Sequence, residues 1–193
     1  MATVREGSKQ ALLIVDVQVG VMQNVWDAER VIGNVAKAVE KARQQGVPVI
    51  WVQHAHEEEI PYGSSAWQWV AELSPAEGEA RVYKQFNSSF EETNLEEILA
   101  DLGITHVVLA GAASNWCIRS TAYGALDRGY DLTLIKDAHS TESMEFDDGV
   151  VVEAAHIIRE LNIAMTWTDY PGRTTSTATV DEFDFAVPNV LSC

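Results

Sequence analysis

The sequence has little cysteine, little proline and few basic residues. Only Cys117 and Cys193 occur among 193 residues. One pair is no disulfide framework for a domain of this size, and the second is the last residue, where chains usually fray. A reducing compartment is the expected setting. The 5 prolines are scattered, and no repeat, low-complexity block or linker divides the chain. Basic residues number 13 against 29 acidic ones, a formal charge of −16. Such a chain repels phosphate backbones and anionic lipid, so neither nucleic acid nor a membrane surface is an expected partner. No apolar stretch is long enough to span a bilayer, and the first residues lack a secretory apolar core. A cytoplasmic protein is expected.

What is present is an ordinary globular balance, 47% hydrophobic and 22% charged, which excludes a disordered chain. One domain over residues 1–193 is expected. Short apolar runs alternate with helical patterns. Ala11-Leu12-Leu13-Ile14-Val15 reads as a strand covered on both faces. Val31, Val35, Val39 and Ala42 follow at helical spacing, closed by Gly46 and Pro48. Further strands are expected at residues 47–53, 81–83, 106–110, 131–135 and 164–168. Helices are expected at residues 93–102, 115–128 and 147–161, the first opened by a Thr93–Glu96 capping box. Residues 54–80 are irregular and read as a lid-like excursion. Residues 170–193 read as a tail, mobile or packed on a partner subunit.

Strands alternating with helices imply parallel pairing with right-handed crossovers. The expected architecture is α/β, a doubly wound six-stranded parallel sheet in the order 3-2-1-4-5-6 with helices on both faces. Ligands bind such sheets outside the carboxyl ends of the strands, near the point where strand order reverses. Three residues at strand ends stand out. Asp16 follows the first strand, and a carboxylate there needs a cation or donors. Gln18, two residues on, either orients Asp16 or satisfies the turn. Lys84 follows the third strand. Cys117 follows the fourth, in Gly111-Ala112-Ala113-Ser114-Asn115-Trp116-Cys117, where the small residues permit a tight turn. A thiol in the first turn of a helix is drawn toward thiolate by the dipole and the free amides. An inert buried cysteine is the alternative at this point. Strands one and four are neighbours in the expected order. Strand three lies two ladder spacings from strand one, about 10 Å, so Lys84 has to lean inward.

At these residues the sequence resembles the isochorismatase-like cysteine hydrolase superfamily. The matching pieces are Leu12-Leu13-Ile14-Val15-Asp16-Val17-Gln18, Lys84 with Phe86, the segment Gly111 to Cys117, and Asp137-Ala138, spread over residues 11–168. The resemblance implies a Rossmann-like fold and a catalytic triad of Asp16, Lys84 and Cys117. It implies a cis peptide between Ala112 and Ala113, with the Ala113 and Cys117 amides forming an oxyanion hole. Because Cys117 is present, it implies hydrolysis of an amide or ureido carbon–nitrogen bond in a small molecule through a thioester, as in N-carbamoylsarcosine amidase or streptothricin hydrolase. Gln18, Trp26, Trp67, Phe86, Ser114 and Trp116 are the expected substrate contacts, with Ser114 standing where many members carry threonine. The family suggests a homodimer or homotetramer. Nicotinamidases of this superfamily hold a metal through an Asp-x-His pair and a later His. Here His54-Ala55-His56 takes that place, and no His follows before His106. No metal or other cofactor is expected. Two other readings remain: a binding or redox module with a reactive Cys117, and a metal-assisted amidase using His54 and His56.

Overall fold

The first strand, β1 (Gln10–Val15), is buried on both faces from Ala11 onward and sits at the centre of the sheet. The structure, a computed structural model, describes residues 4–186. Cys193 and the far end of the expected tail lie outside the described residues. A short helical turn α1 (Val19–Met22) follows β1, and then helix α2 (Ala28–Gln44). Val31, Val35, Ala38, Val39 and Ala42 bury one stripe of α2, and Gly46, at φ 66°, ends it as its sequence position predicts. Strand β2 (Val49–His54), strand β3 (Ala80–Lys84), helix α3 (Leu95–Asp101) and strand β4 (His106–Ala112) come next. After β4 the chain makes a wide turn at Ser114–Ile118 before helix α4 (Arg119–Asp127). Strand β5 (Asp131–Ser140), the small hairpin β6 (Met144–Glu145) and β7 (Val151–Val152), helix α5 (Ala154–Trp167) and strand β8 (Thr175–Ala178) complete it.

Six strands pair in parallel in the order β3-β2-β1-β4-β5-β8, the topology read from the sequence. Alternate residues of β1 face opposite layers. Leu13 and Val15 pack with residues of α3, α4 and α5, while Leu12 and Ile14 pack with α2 and with Val180, Phe183 and Phe185 beyond β8. No helix among the described residues is long and apolar enough to cross a membrane.

Several expected elements shift. Residues 164–168 are not the sixth strand: α5 runs on to Trp167, because Leu161 and Met165 keep one buried stripe. The sixth strand is Thr175–Ala178, inside the expected tail, paired with Leu132–Ile135 of β5. Its Thr-Ser-Thr-Ala sequence is only half-buried, so no apolar run announces it. The expected start of α5 near residue 147 is displaced by the β6–β7 hairpin, and Val150 is exposed. The Thr93–Glu96 capping box does not form: Glu96 pairs with Arg5, and Asn94 opens α3 with no side-chain cap. Leu102, the last residue of the expected helix, lies just past the end of α3 and is exposed. The expected helix from residue 115 begins instead as a π turn, with the Ile118 amide donating to the Ala113 carbonyl.

Candidate active site

Two local departures from regular strand geometry shape the carboxyl end of the sheet. Gly111 pairs with Val15 at φ 128°, and a Cβ there would lie 2.0 Å from the Val15 carbonyl oxygen. Only glycine permits so close an approach of β4 to β1. The register between β4 and β5 also slips: Leu109 faces Leu134, but Gly111 faces His139. This bulge carries β5 past the end expected for it and sets His139, Ser140 and Thr141 beside the turn after β4. The Ala112–Ala113 peptide is cis, as the resemblance implied.

Asp16, Lys84 and Cys117 meet at this end, each buried. The Lys84 ammonium lies 2.6 Å from Asp16 Oδ2 and donates to Cys117 Sγ at 3.2 Å and to the Phe86 carbonyl at 3.2 Å. The long lysine stem thus covers the two strand spacings between β3 and β1. Asp16 adopts a left-handed backbone conformation, φ 54°, and its amide donates to Val52 O. Burial pushes the Cys117 thiol up to about 12, and the Asp16 carboxylate adds to that push, which Lys84 opposes only in part. Burial and the Asp16 charge thus oppose the thiolate that a helix start and the Lys84 ammonium favour. Burial pulls Lys84 down, but Asp16 and Cys117 outweigh it, and the ammonium is held above its ordinary value.

A pocket of about 590 Å³ opens over Cys117. Asp16, Ala113, Trp116 and Cys117 line it, together with Asn24, His54, Glu59, Asn87, Thr141 and Glu142. The other expected contacts lie elsewhere. Gln18 is fully buried; its amide donates to the His54 and Trp67 carbonyls and accepts from the His54 N–H, tying the ends of β1 and β2 to the 54–80 segment. Trp67 stacks with Tyr62 and Tyr83, away from the pocket lining. Trp26 lines a separate groove against α5. Phe86 is half exposed and presents only its carbonyl, to Lys84. Asn87, Thr141 and Glu142 carry no motif in the sequence, and Glu59 stands out there only as one of the glutamates after His54-Ala55-His56. The rule that ligands sit past strand ends reaches Thr141 and Glu142 once β5 is known to continue to Ser140.

His54 and His56 face different depressions of the surface. His54 lines the pocket with Nδ1 3.4 Å from Lys84 Nζ, and burial, then the Lys84 charge, lower its pKa. His56 lines a different depression with Glu57 and Glu58. Among the described residues no group of three or more His, Cys, Asp or Glu side chains is arranged to hold a metal ion.

Ser114 is fully buried, and its hydroxyl lies 2.8 Å from His139 Nδ1, while His139 Nε2 lies 2.9 Å from Asn162 Oδ1. Asn162 Nδ2 donates to the Lys136 carbonyl, so Oδ1 accepts and His139 carries its proton on Nε2. Nδ1 then accepts from Ser114, which orients the hydroxyl away from any ligand. Burial lowers the His139 pKa from 6.5 to about 4. Folded His139 thus stays neutral where the unfolded chain already binds a proton. Stability is complete above the unfolded value and is lost as pH falls from 6.5 through about 4. That gap corresponds to about 3 kcal/mol. In urea unfolding, wild type should lose about 3 kcal/mol more than His139→Gln between neutral pH and pH 4. Equal losses would show that His139 titrates normally in the folded state.

The isochorismatase domain model matches residues 10–169. The chain belongs to the isochorismatase family. Streptothricin hydrolase of Streptomyces noursei is 32% identical over 147 residues, covering 73% of this chain and 58% of that protein. The chain therefore spans less than two thirds of that relative. An isochorismatase from Pseudomonas putida KT2440 superposes with a TM-score of 0.79 at 26% identity, covering 94% of this chain and 92% of that one. N-carbamoylsarcosine amidase from Thermoplasma acidophilum gives a TM-score of 0.67 at 25% identity, covering 91% and 98%. The chain is an isochorismatase-family hydrolase with amidase-type neighbours, in agreement with the family and fold read from its motifs.

Proposed function

We propose that this isochorismatase-family hydrolase cleaves an amide or ureido carbon–nitrogen bond in a small molecule, using Cys117 as nucleophile and passing through a thioester. The observation that carries the reading is the buried Lys84 ammonium within 2.6 Å of Asp16 and 3.2 Å of the Cys117 sulfur, beneath an open pocket. In this reading ionisation of the sulfur accompanies attack. Asp16 takes the Sγ proton as sulfur bonds to the substrate carbonyl carbon, and Lys84 stabilises the charge that develops. The carbonyl oxygen, now an oxyanion, is held by the Ala113 and Cys117 amides. Collapse breaks the carbon–nitrogen bond, and Asp16 returns the proton to the leaving nitrogen. Water then attacks the thioester, Asp16 accepts its proton, and the carbon–sulfur bond breaks. Sulfur recovers its proton from Asp16. Trp116 walls the pocket, whereas Gln18 and Ser114 hold the turns that carry Asp16 and Cys117. The setting in this reading is the cytoplasm, and the assembly a homodimer or homotetramer.

The redox-module reading fits less well. A sensor cysteine is an accessible thiolate, and Cys117 is buried with a raised pKa. Turnover of an amide panel in the presence of hydroxylamine tests the proposal. An acyl thioester is diverted to a hydroxamate while amine release continues. Amine release with no hydroxamate, at any hydroxylamine concentration, would overturn the thioester route.

A further inference from the structure

The pocket over Cys117 is one-sided in charge. Asp16 and Lys84 neutralise each other at its floor. Two further carboxylates, Glu59 and Glu142, line the pocket and are exposed, so they stand on its solvent side. Neither belongs to an ion pair among the described residues. None of the lining residues is lysine or arginine. The remaining polar lining is His54, whose pKa is lowered by burial and by the Lys84 charge, and the uncharged Gln23, Asn24, Asn87 and Thr141. A second, independent feature lies deeper: Asp16 lines the same pocket, and its Oδ1 is buried with no hydrogen-bond partner among the described residues. A buried acceptor of this kind calls for a donor from the ligand.

We infer that the substrate is a cationic amide, one whose reacting nitrogen or a neighbouring N–H faces Asp16 Oδ1 and whose positive group, an ammonium or guanidinium, lies between Glu59 and Glu142. A carboxylate-bearing amide would meet two like charges and no cation to receive it. The acidic surface of the whole chain, −16 in formal charge, favours the approach of the same class of molecule. This inference rests on the reading that Cys117 reacts in this pocket. It adds which amides reach it.

Alkylation of Cys117 tests the charge preference without requiring turnover. Three reagents are compared in a Cys193→Ser background, so that Cys117 is the sole thiol: iodoacetamide, an analogue with a trimethylammonium-ethyl group on the amide nitrogen, and one with a carboxyethyl group there. Each rate is divided by that with 2-mercaptoethanol. At low ionic strength the cationic reagent should react about fivefold faster than the neutral one and the anionic reagent about fivefold slower, the spread shrinking in high salt. Glu59→Gln and Glu142→Gln should each narrow the spread, and the double variant should remove most of it. Glu97→Gln, on α3 and outside the pocket lining, should leave it unchanged. Equal rates, or a faster anionic reagent, would overturn the charge assignment while leaving the thioester reading standing. A spread that survives in the double variant would overturn the role of these two carboxylates. If no reagent reaches Cys117, both this inference and the reading beneath it fall.

Discussion

Cys117→Ala is expected to lower turnover of the best amide by about 10⁴-fold or more while the protein stays folded. The substitution removes the atom that bonds to the carbonyl carbon, and no other thiol or hydroxyl among the pocket residues lies beside Lys84. The Ser114 hydroxyl, three residues before the cysteine, is committed to His139. The packing change is small, since the methyl group of alanine keeps the Cβ contacts of a residue that is 8% exposed. Amine release and circular dichroism on the same preparation check both halves. Residual activity within tenfold of wild type, in a folded variant, would remove the sulfur from the mechanism.

Lys84→Met should be the most destabilising change at the site. It leaves the Asp16 carboxylate 1% exposed and without its cation. Breaking one half of a buried ion pair commonly costs about 3–5 kcal/mol. It should also slow turnover about a hundredfold or more, because the charge developing on sulfur loses its ammonium. The double variant Asp16→Asn/Lys84→Met separates the two effects. Asparagine tolerates the left-handed backbone at this position, φ 54°, and carries no charge. Stability should then return most of the way, with activity still absent. Denaturant unfolding and steady-state rates read the two outcomes. A double variant no more stable than Lys84→Met alone would show that the lysine is needed for packing rather than for charge.

The surroundings of Cys117 show where sequence reading reaches its limit. The motif around residues 111–117 placed the cysteine at the turn after β4, and the apolar run before Asp16 placed the carboxylate beside it. Burial is a property of the assembled core, however, and it reverses the direction that a helix start alone would set. The same holds for β5. A five-residue apolar run marked its beginning, but its extension to Ser140 depends on the slip opposite Leu109 and Gly111. That extension brings Thr141 and Glu142 to the pocket and His139 to Ser114.

The strand order was legible because β1, β2 and β4 carry continuous apolar runs covered on both faces. Thr175–Ala178 escaped notice because an edge strand needs little apolar surface of its own. Aromatic residues near strand ends were a poor guide to the pocket wall. Trp116 faces it, but Trp67 and Trp26 found ring partners or another groove. The polar residues Asn24, Asn87 and Glu59 come from irregular segments, whose paths no periodicity encodes.

The most direct test is a crystal structure with an aldehyde analogue of a turned-over amide. Such an aldehyde forms a reversible hemithioacetal with a nucleophilic thiol and retains the oxygen that becomes the oxyanion. The account predicts continuous density from Cys117 Sγ to the former carbonyl carbon, with that oxygen against the Ala113 and Cys117 amides. An aldehyde seated in the pocket with its carbon unattached to sulfur, or bonded to another residue, would contradict it.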